Sequence, residues 1–238
     1  MLLCMYEKGN ENSEELESPF PSDQSTAETN FDEEKIRKQL EKIIPKKDYP
    51  LIDHIINDKQ NYYHNSLKNE VGVFRGNKGN LLQVVHGDEN GIKIPKYIVD
   101  IGFKDGVSIM AHNHTNGLII PSQKDIASIL LYQSNYNPAY SPNKTGLLVN
   151  INVSKNKENW EKIFNKYDKF IKDKELQIQK LYLDEIKKIK NNYTCKDLNK
   201  KLDDDIHRPY FVKNQVNIVK EINNMFKENN FELKLYIL

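Results

Sequence analysis

Glycine is confined in this chain, and its distribution restricts the fold more than any other single feature. Eight of the ten glycines fall between Gly72 and Gly117, and none follows Gly146. Glycine is used where backbone turns tightly or approaches a neighbour closely, and long stretches without it suit helix. A turn-rich centre followed by a helical tail is therefore expected. Residues 158–191 contain neither Gly nor Pro, and Trp160, Phe164, Tyr167, Ile171, Ile178, Leu181 and Ile189 recur close to heptad spacing. Such a run serves either as a long amphipathic helix packed on its own domain or as a dimerising coiled coil, which would make a homo-oligomer through 158–191.

Apolar spacing fills in the rest. Ile36, Leu40, Ile43 and Ile44 predict a helix from Phe31 to Ile44, capped by Asp32 and stopped by Pro45. Leu51, Ile52, Ile55, Ile56 and Tyr63 predict a second helix from Asp48 to His64, with Pro50 in its first turn. Glu70–Arg75 and Leu81–His86 are β-prone runs joined by Gly76-Asn-Lys-Gly79, the pattern of a hairpin. Further strands are expected at Lys96–Phe103, at Val107–Ala111 and at Gly146–Val153, with a helix from Ser122 to Ser134. Val212–Phe226 reads as a helix and Phe231–Leu238 as a terminal strand able to join the edge of the main sheet. The fold class is thus α/β (α+β): a mixed sheet flanked by helices, with a long helical C-terminal extension.

Charge divides the chain. Residues 1–34 hold ten acids and one lysine, whereas 35–238 hold 34 basic residues against 24 acids, so the net +1 is an average of unlike parts. Residues 1–33 lack the apolar content to offset ordering and read as a disordered acidic leader. The domains are then the leader at 1–33, a core domain at 34–155, and a helical extension ending in a strand at 156–238. Cys4 and Cys195 are too few for a disulfide framework or a cysteine-built zinc site, which suits a reducing, cytoplasmic setting. Met1–Tyr6 is too short for a signal peptide, and no window reaches the ~18 apolar residues of a membrane helix. With three arginines against 32 lysines, and no aromatic–basic stacking motif, nucleic acid is an unexpected partner.

The chemistry is concentrated in Ala111-His-Asn-His-Thr-Asn-Gly-Leu-Ile-Ile-Pro-Ser-Gln-Lys-Asp125. Histidines two apart on an extended segment point to the same side. Asp125 falls in the first turn of the following helix, where the dipole favours a carboxylate. If the loop folds back, two imidazoles and a carboxylate meet, leaving a fourth position open, as a catalytic zinc requires. Taken singly, Ser122 is as readily a helix cap, Asp125 a dipole partner, and His112 or His114 a core histidine. The joint spacing is what points to a metal.

That spacing, His-x-His, seven residues, Ser, two residues, Asp, resembles the signature of the JAMM (MPN+) metalloprotease family. His112, His114, Ser122 and Asp125 satisfy it without a gap, and at this chain's own residue frequencies a chance match arises roughly twice in a million starts. Glu70, opening the first strand after a helix, occupies the place of the family's glutamate. Glu89, in a turn-like run, is the weaker rival. The wording His-Asn-His-x-x-Gly with Pro-Ser-x-x-Asp is similar to the bacterial branch, which includes RadC-like proteins and the JAB domains of phage and toxin polypeptides. The resemblance covers about 48–154. It departs at Thr115, where most relatives carry proline, and this bears on loop stiffness and substrate choice more than on metal binding.

The resemblance implies a JAMM/cytidine-deaminase-like sheet and a Zn²⁺ ion held by His112, His114 and Asp125. It implies Glu70 as the base that takes a proton from water and passes it to the leaving amine, and Ser122 as a donor to the oxyanion. The activity implied is a zinc-dependent metallopeptidase or isopeptidase acting on a polypeptide, with a ubiquitin-like tag or a phage or toxin protein as candidate substrates. The alternatives are a non-catalytic MPN-like scaffold, or a RadC-like DNA-associated protein. His54, His64, His86 and His207 carry no such context.

Overall fold

The computed structural model describes residues 32–63, 69–88, 91–114, 117–141, 144–192 and 195–238. The acidic leader up to residue 31, together with Glu89 and Thr115, lies outside them. Contacts divide the chain into a unit of residues 28–168 with 215–238 and a second of 169–214. The start of the long helical run and the last 24 residues thus group with the sheet.

The sheet-bearing unit opens with α1 (Glu33–Ile43), whose N-cap Asp32 accepts from the Lys35 amide, and α2 (Pro50–Asp58), with proline in its first turn. A π-helical turn, Lys59–Tyr63, extends α2. The hairpin follows as expected, β1 (Val71–Arg75) against β2 (Leu81–His86). Next come α3 (Lys96–Lys104), β3 (Ile109–Asn113), α4 (Gln123–Leu131), β4 (Tyr136–Tyr140), β5 (Thr145–Asn150) and α5 (Val153–Glu158). The helical run then contributes α6 (Trp160–Leu181), α7 (Leu183–Asn192), α8 (Cys195–Leu202) and α9 (Arg208–Glu228), and β6 (Leu233–Ile237) closes the chain.

The six strands lie in the order β2-β1-β3-β4-β5-β6. All pairings are antiparallel except β3 with β4, which the α4 crossover joins in parallel. The mixed sheet flanked by helices is thus as expected, and β6 does add to its edge beside β5. Strand alternation sorts the core into two layers. Val71, Val73, Ile109, Ala111, Tyr136, Leu147 and Val149 face α1 and α2, packing on Leu40, Ile52, Ile55 and Ile56. On the reverse face, Phe74 and Met110 pack with Ile98 of α3.

Three elements differ from expectation. Lys96–Phe103 is helical, not a strand. Its β-branched Ile98, Val99 and Ile101 suit strand, but the buried positions are Ile98 and Gly102, four apart. A Cβ on Gly102 would lie 2.8 Å from that of Tyr132, so the glycine lets two helices approach closely. β4 has no sequence signal because Pro138 interrupts it, yet Pro138 sits opposite Leu147 in the ladder. The expected strand through Val153 ends at Asn150, since Asn152 caps α5 through the Lys155 amide.

The glycine-free run divides at Tyr182 into α6 and α7, although Tyr182 N–H still bonds Ile178 O and Ile186 N–H bonds Tyr182 O. Ile163 and Tyr167 of α6 are fully buried, and Tyr167 stacks on Phe226 with ring centroids 6.2 Å apart. That part of the heptad seam is spent within the chain. In the second unit the buried apolar residues include Ile178, Ile186, Ile189 and Ile206. Among the described residues no helix is long and apolar enough to cross a membrane.

Candidate metal centre

β3 delivers the two histidines. Its pairing with β1 places Gly72 opposite His112, Val73 opposite Ala111 and Phe74 opposite Met110. His112 therefore shares a face with Met110, turned away from α1 and α2, and His114 continues that face just past the strand end. Glu70, two residues before Gly72, falls on the same side and opposite His114 when the register is extended. α4 must cover this face to connect β3 to its parallel neighbour, and its first turn carries Asp125 to the corner.

The three groups converge. His112 Nε2 and His114 Nε2 are 2.9 Å apart. Asp125 Oδ1 is 3.4 Å from His112 Nε2, and Oδ2 is 3.7 Å from His114 Nε2. All three ligating atoms lie within 4.8 Å of one another, and together they could hold a metal ion. The two carboxylate contacts are too long for good hydrogen bonds. They fit another geometry: ligands on 2.0–2.1 Å bonds to one tetrahedral ion are separated by roughly 3.3 Å. The two separations from His112 Nε2, 2.9 Å to His114 Nε2 and 3.4 Å to Asp125 Oδ1, lie near that value.

The donor set fits a cation for a second reason. His114 Nδ1 lies 2.5 Å from the Leu118 carbonyl oxygen, which can only accept, so Nδ1 donates and Nε2 is the nitrogen turned to the corner. Asp125 is held likewise. Its Oδ2 accepts the Ser122 N–H at 2.7 Å, leaving Oδ1 to face His112, while Ser122 Oγ accepts the Asp125 N–H at 3.2 Å. Ser122 is thus the N-cap of α4 in a reciprocal capping box. A hydroxyl that accepts through a lone pair still carries its own O–H to donate.

The electrostatics agree. Burial opposes the charged form of both partners, but their attraction prevails: Asp125 is held well below the ordinary carboxylate range by His112 and His114. His112, which is also buried, is raised by Asp125 and Glu70. Glu70 is raised by burial above all, with His112 and His114 working to lower it and Asp125 to raise it, which places it within reach of the corner's field. An elevated carboxyl beside a candidate metal suits a proton carrier.

The loop between His114 and Asp125 is braced by residues outside the motif. Tyr167 of α6 donates its hydroxyl hydrogen to Pro121 O at 2.5 Å, and Ile119 N–H reaches Gln215 Oε1 of α9 at 3.4 Å. Gly146 admits the loop from β5, since a Cβ there would collide with Ile119 O. A glycine inside a strand pattern is a sign of close backbone approach, and it is the one sequence signal of this brace. Tyr167 and Gln215 give none, because partners 46 and 96 residues away leave no local pattern.

Comparison of the chain with protein-family models, with curated proteins and with solved structures gives no match.

Proposed function

We propose that this protein is a zinc-dependent hydrolase that cleaves a peptide or isopeptide bond in a polypeptide substrate. The observation that carries the reading is the convergence of His112 Nε2, His114 Nε2 and the Asp125 carboxylate, with Glu70 within reach of their charges. Two imidazoles and one carboxylate leave a coordination position open, the arrangement of catalytic rather than structural zinc. When bound, Zn²⁺ would supply Lewis-acid activation of water and polarisation of the scissile carbonyl. The chain's own residues do the rest. Asp125 and the two histidines hold the ion, with Ser122 N–H and Leu118 O fixing their orientation. Glu70 accepts a proton from the attacking water and returns it to the leaving amine, a task suited to its elevated pKa. Ser122 O–H donates toward the developing oxyanion. The resemblance to bacterial JAMM domains makes a ubiquitin-like, phage or toxin polypeptide the substrate class to try first, and the scarcity of cysteine suits a cytoplasmic setting.

The test is metal analysis of the purified chain after zinc reconstitution, followed by a screen of a mixed peptide and isopeptide pool. About one zinc per chain is expected, absent from His114→Ala. Glu70→Gln should keep the metal and lose hydrolysis by roughly 10²–10⁴-fold. A wild-type chain that binds no zinc ends the proposal. Hydrolysis that survives Glu70→Gln removes Glu70 as the base.

A further inference from the structure

We propose that Asn113, the residue between the two histidines, is a positioning residue that sets the Glu70 carboxylate against the metal corner; the inference rests on the hydrolase reading above. Alternation along β3 puts His112 and His114 on one face and Asn113 on the other, so Asn113 is not a ligand. It is nevertheless 5% exposed, and a buried carboxamide needs partners. It finds them across the strand edge: Oδ1 accepts the Val71 N–H at 2.5 Å, and Nδ2 donates to Asn69 O at 3.2 Å. Val71 and Asn69 are the two neighbours of Glu70, so one side chain grips the backbone on both sides of the proposed base.

The grip lies where the ladder stops. The β1–β3 pairing runs from Arg75 opposite Ile109 to Gly72 opposite His112, and the carboxamide extends it beyond that last pair. On the β2 side, Glu70 is held by its own amide, which donates to Asp88 O at 3.0 Å, and by its carbonyl, which accepts from Gly87 N–H at 2.8 Å. The segment is thus fixed from both flanks. Position matters because a one-residue slip turns every side chain to the opposite face, and would carry Glu70 away from the histidines. Asparagine suits the task because it offers an acceptor and a donor at once; aspartate keeps only the acceptor, and alanine keeps neither.

The experiment compares the full-length wild type, Asn113→Ala and Asn113→Asp by zinc content, by amide hydrogen exchange at Val71, by crystal structures with zinc, and by kinetics on a pool peptide that the wild type cleaves. Asn113→Ala should bind about one zinc, because no ligand has changed. Its Val71 amide should exchange roughly tenfold faster, as expected for loss of one hydrogen bond. The Glu70 side chain should be displaced, and kcat should fall by roughly ten- to a hundredfold with KM within about twofold. Asn113→Asp should recover Val71 protection and part of the rate, and it serves as the decisive variant if Asn113→Ala does not fold. A wild-type position of Glu70, or wild-type kcat, in Asn113→Ala overturns the positioning role and leaves the zinc reading standing. An Asn113→Asp variant no better than Asn113→Ala also overturns it. A wild-type chain that takes up no zinc, or cleaves nothing in the pool, overturns both.

Discussion

β1 and β3 carry a buried polar cluster at each end of their pairing, and the two clusters are built on opposite principles. At the Arg75–Ile109 end, Arg75 meets Asp58 of α2, with Nε to Oδ2 at 2.8 Å and Nη2 to Oδ1 at 2.5 Å, and its Nη1 donates to Gly79 O at 2.9 Å. Donors face acceptors, in the planar fork geometry that guanidinium and carboxylate share. At the Gly72–His112 end no side chain carries a fixed positive charge: two imidazole nitrogens and a carboxylate oxygen lie within 4.8 Å of one another. Burial is common to both, since Asp58 is fully buried and His112 is 7% exposed. Complementarity is what separates them. A cluster that satisfies itself is structural, whereas one that gathers ligand atoms without a fixed counter-charge could hold a cation. Burial works to lower the His112 pKa, but the negative charges of Asp125 and Glu70 outweigh it and raise it, so the corner favours positive charge.

The widest separation between the two ends should come from single substitutions. His112→Ala or Asp125→Ala is expected to abolish the one-zinc stoichiometry with modest loss of stability, as read by metal analysis alongside thermal unfolding. Arg75→Met should do the reverse, retaining zinc while losing about 3–5 kcal/mol, because Asp58 is left buried without its counter-charge. Urea unfolding checks this, and the double variant Asp58→Leu with Arg75→Met should regain much of the loss. If Arg75→Met instead costs zinc and leaves stability unchanged, the distinction between the two clusters is wrong.

A smaller effect separates the ends by pH. In the metal-free chain His112 is raised from its ordinary 6.5, so its contribution to stability is complete below that value and is lost as pH climbs through the higher folded value. Asp125 is lowered from 3.8, so its contribution is present above that value and is lost as pH falls through the lower one. Denaturant unfolding with chelator should therefore show greater stability at pH 5.5 than at pH 8.5, whereas the Arg75 guanidinium keeps its charge throughout. Zinc must displace the His112 proton, so its apparent affinity should weaken as pH drops. The smallest change expected is in Ser122→Ala, which loses the cap of α4 at a cost of about 1 kcal/mol by thermal unfolding. A larger fall in hydrolysis than in stability would support Ser122 as the oxyanion donor.

Much of the centre is legible in the order of residues along the chain. His112 and His114 can be read because strand alternation is local, and Asp125 with Ser122 because a capping box has a fixed spacing of three. The hairpin and the terminal strand follow from turn chemistry and apolar runs. Illegible is whatever depends on distant partners. Lys96–Lys104 has β-branched residues but is helical, and its buried Gly102 packs against Tyr132, 30 positions away in the chain. β4 gives no signal because Pro138 weakens a strand locally, while its neighbours β3 and β5 support it on both sides. Asn113 stands in the middle of the motif without a visible role, since its partners lie at the start of β1 and just before it, some forty residues earlier.

The amino-acid sequence alone therefore determined the mixed fold class, the glycine-dense centre and helical tail, and the spacing of three residues that could hold a metal. Each of these is encoded within a few residues by backbone permissiveness, periodicity or capping. Only the tertiary structure decided that the first part of α6 and most of α9 group with the sheet, with Tyr167 and Gln215 bracing the loop between His114 and Asp125. It also decided that Glu70 falls just beyond the His112 end of the β1–β3 pairing and that Asn113 grips its neighbours. Those are relations between segments far apart in the chain, set by sheet register and helix packing, and no local pattern carries them.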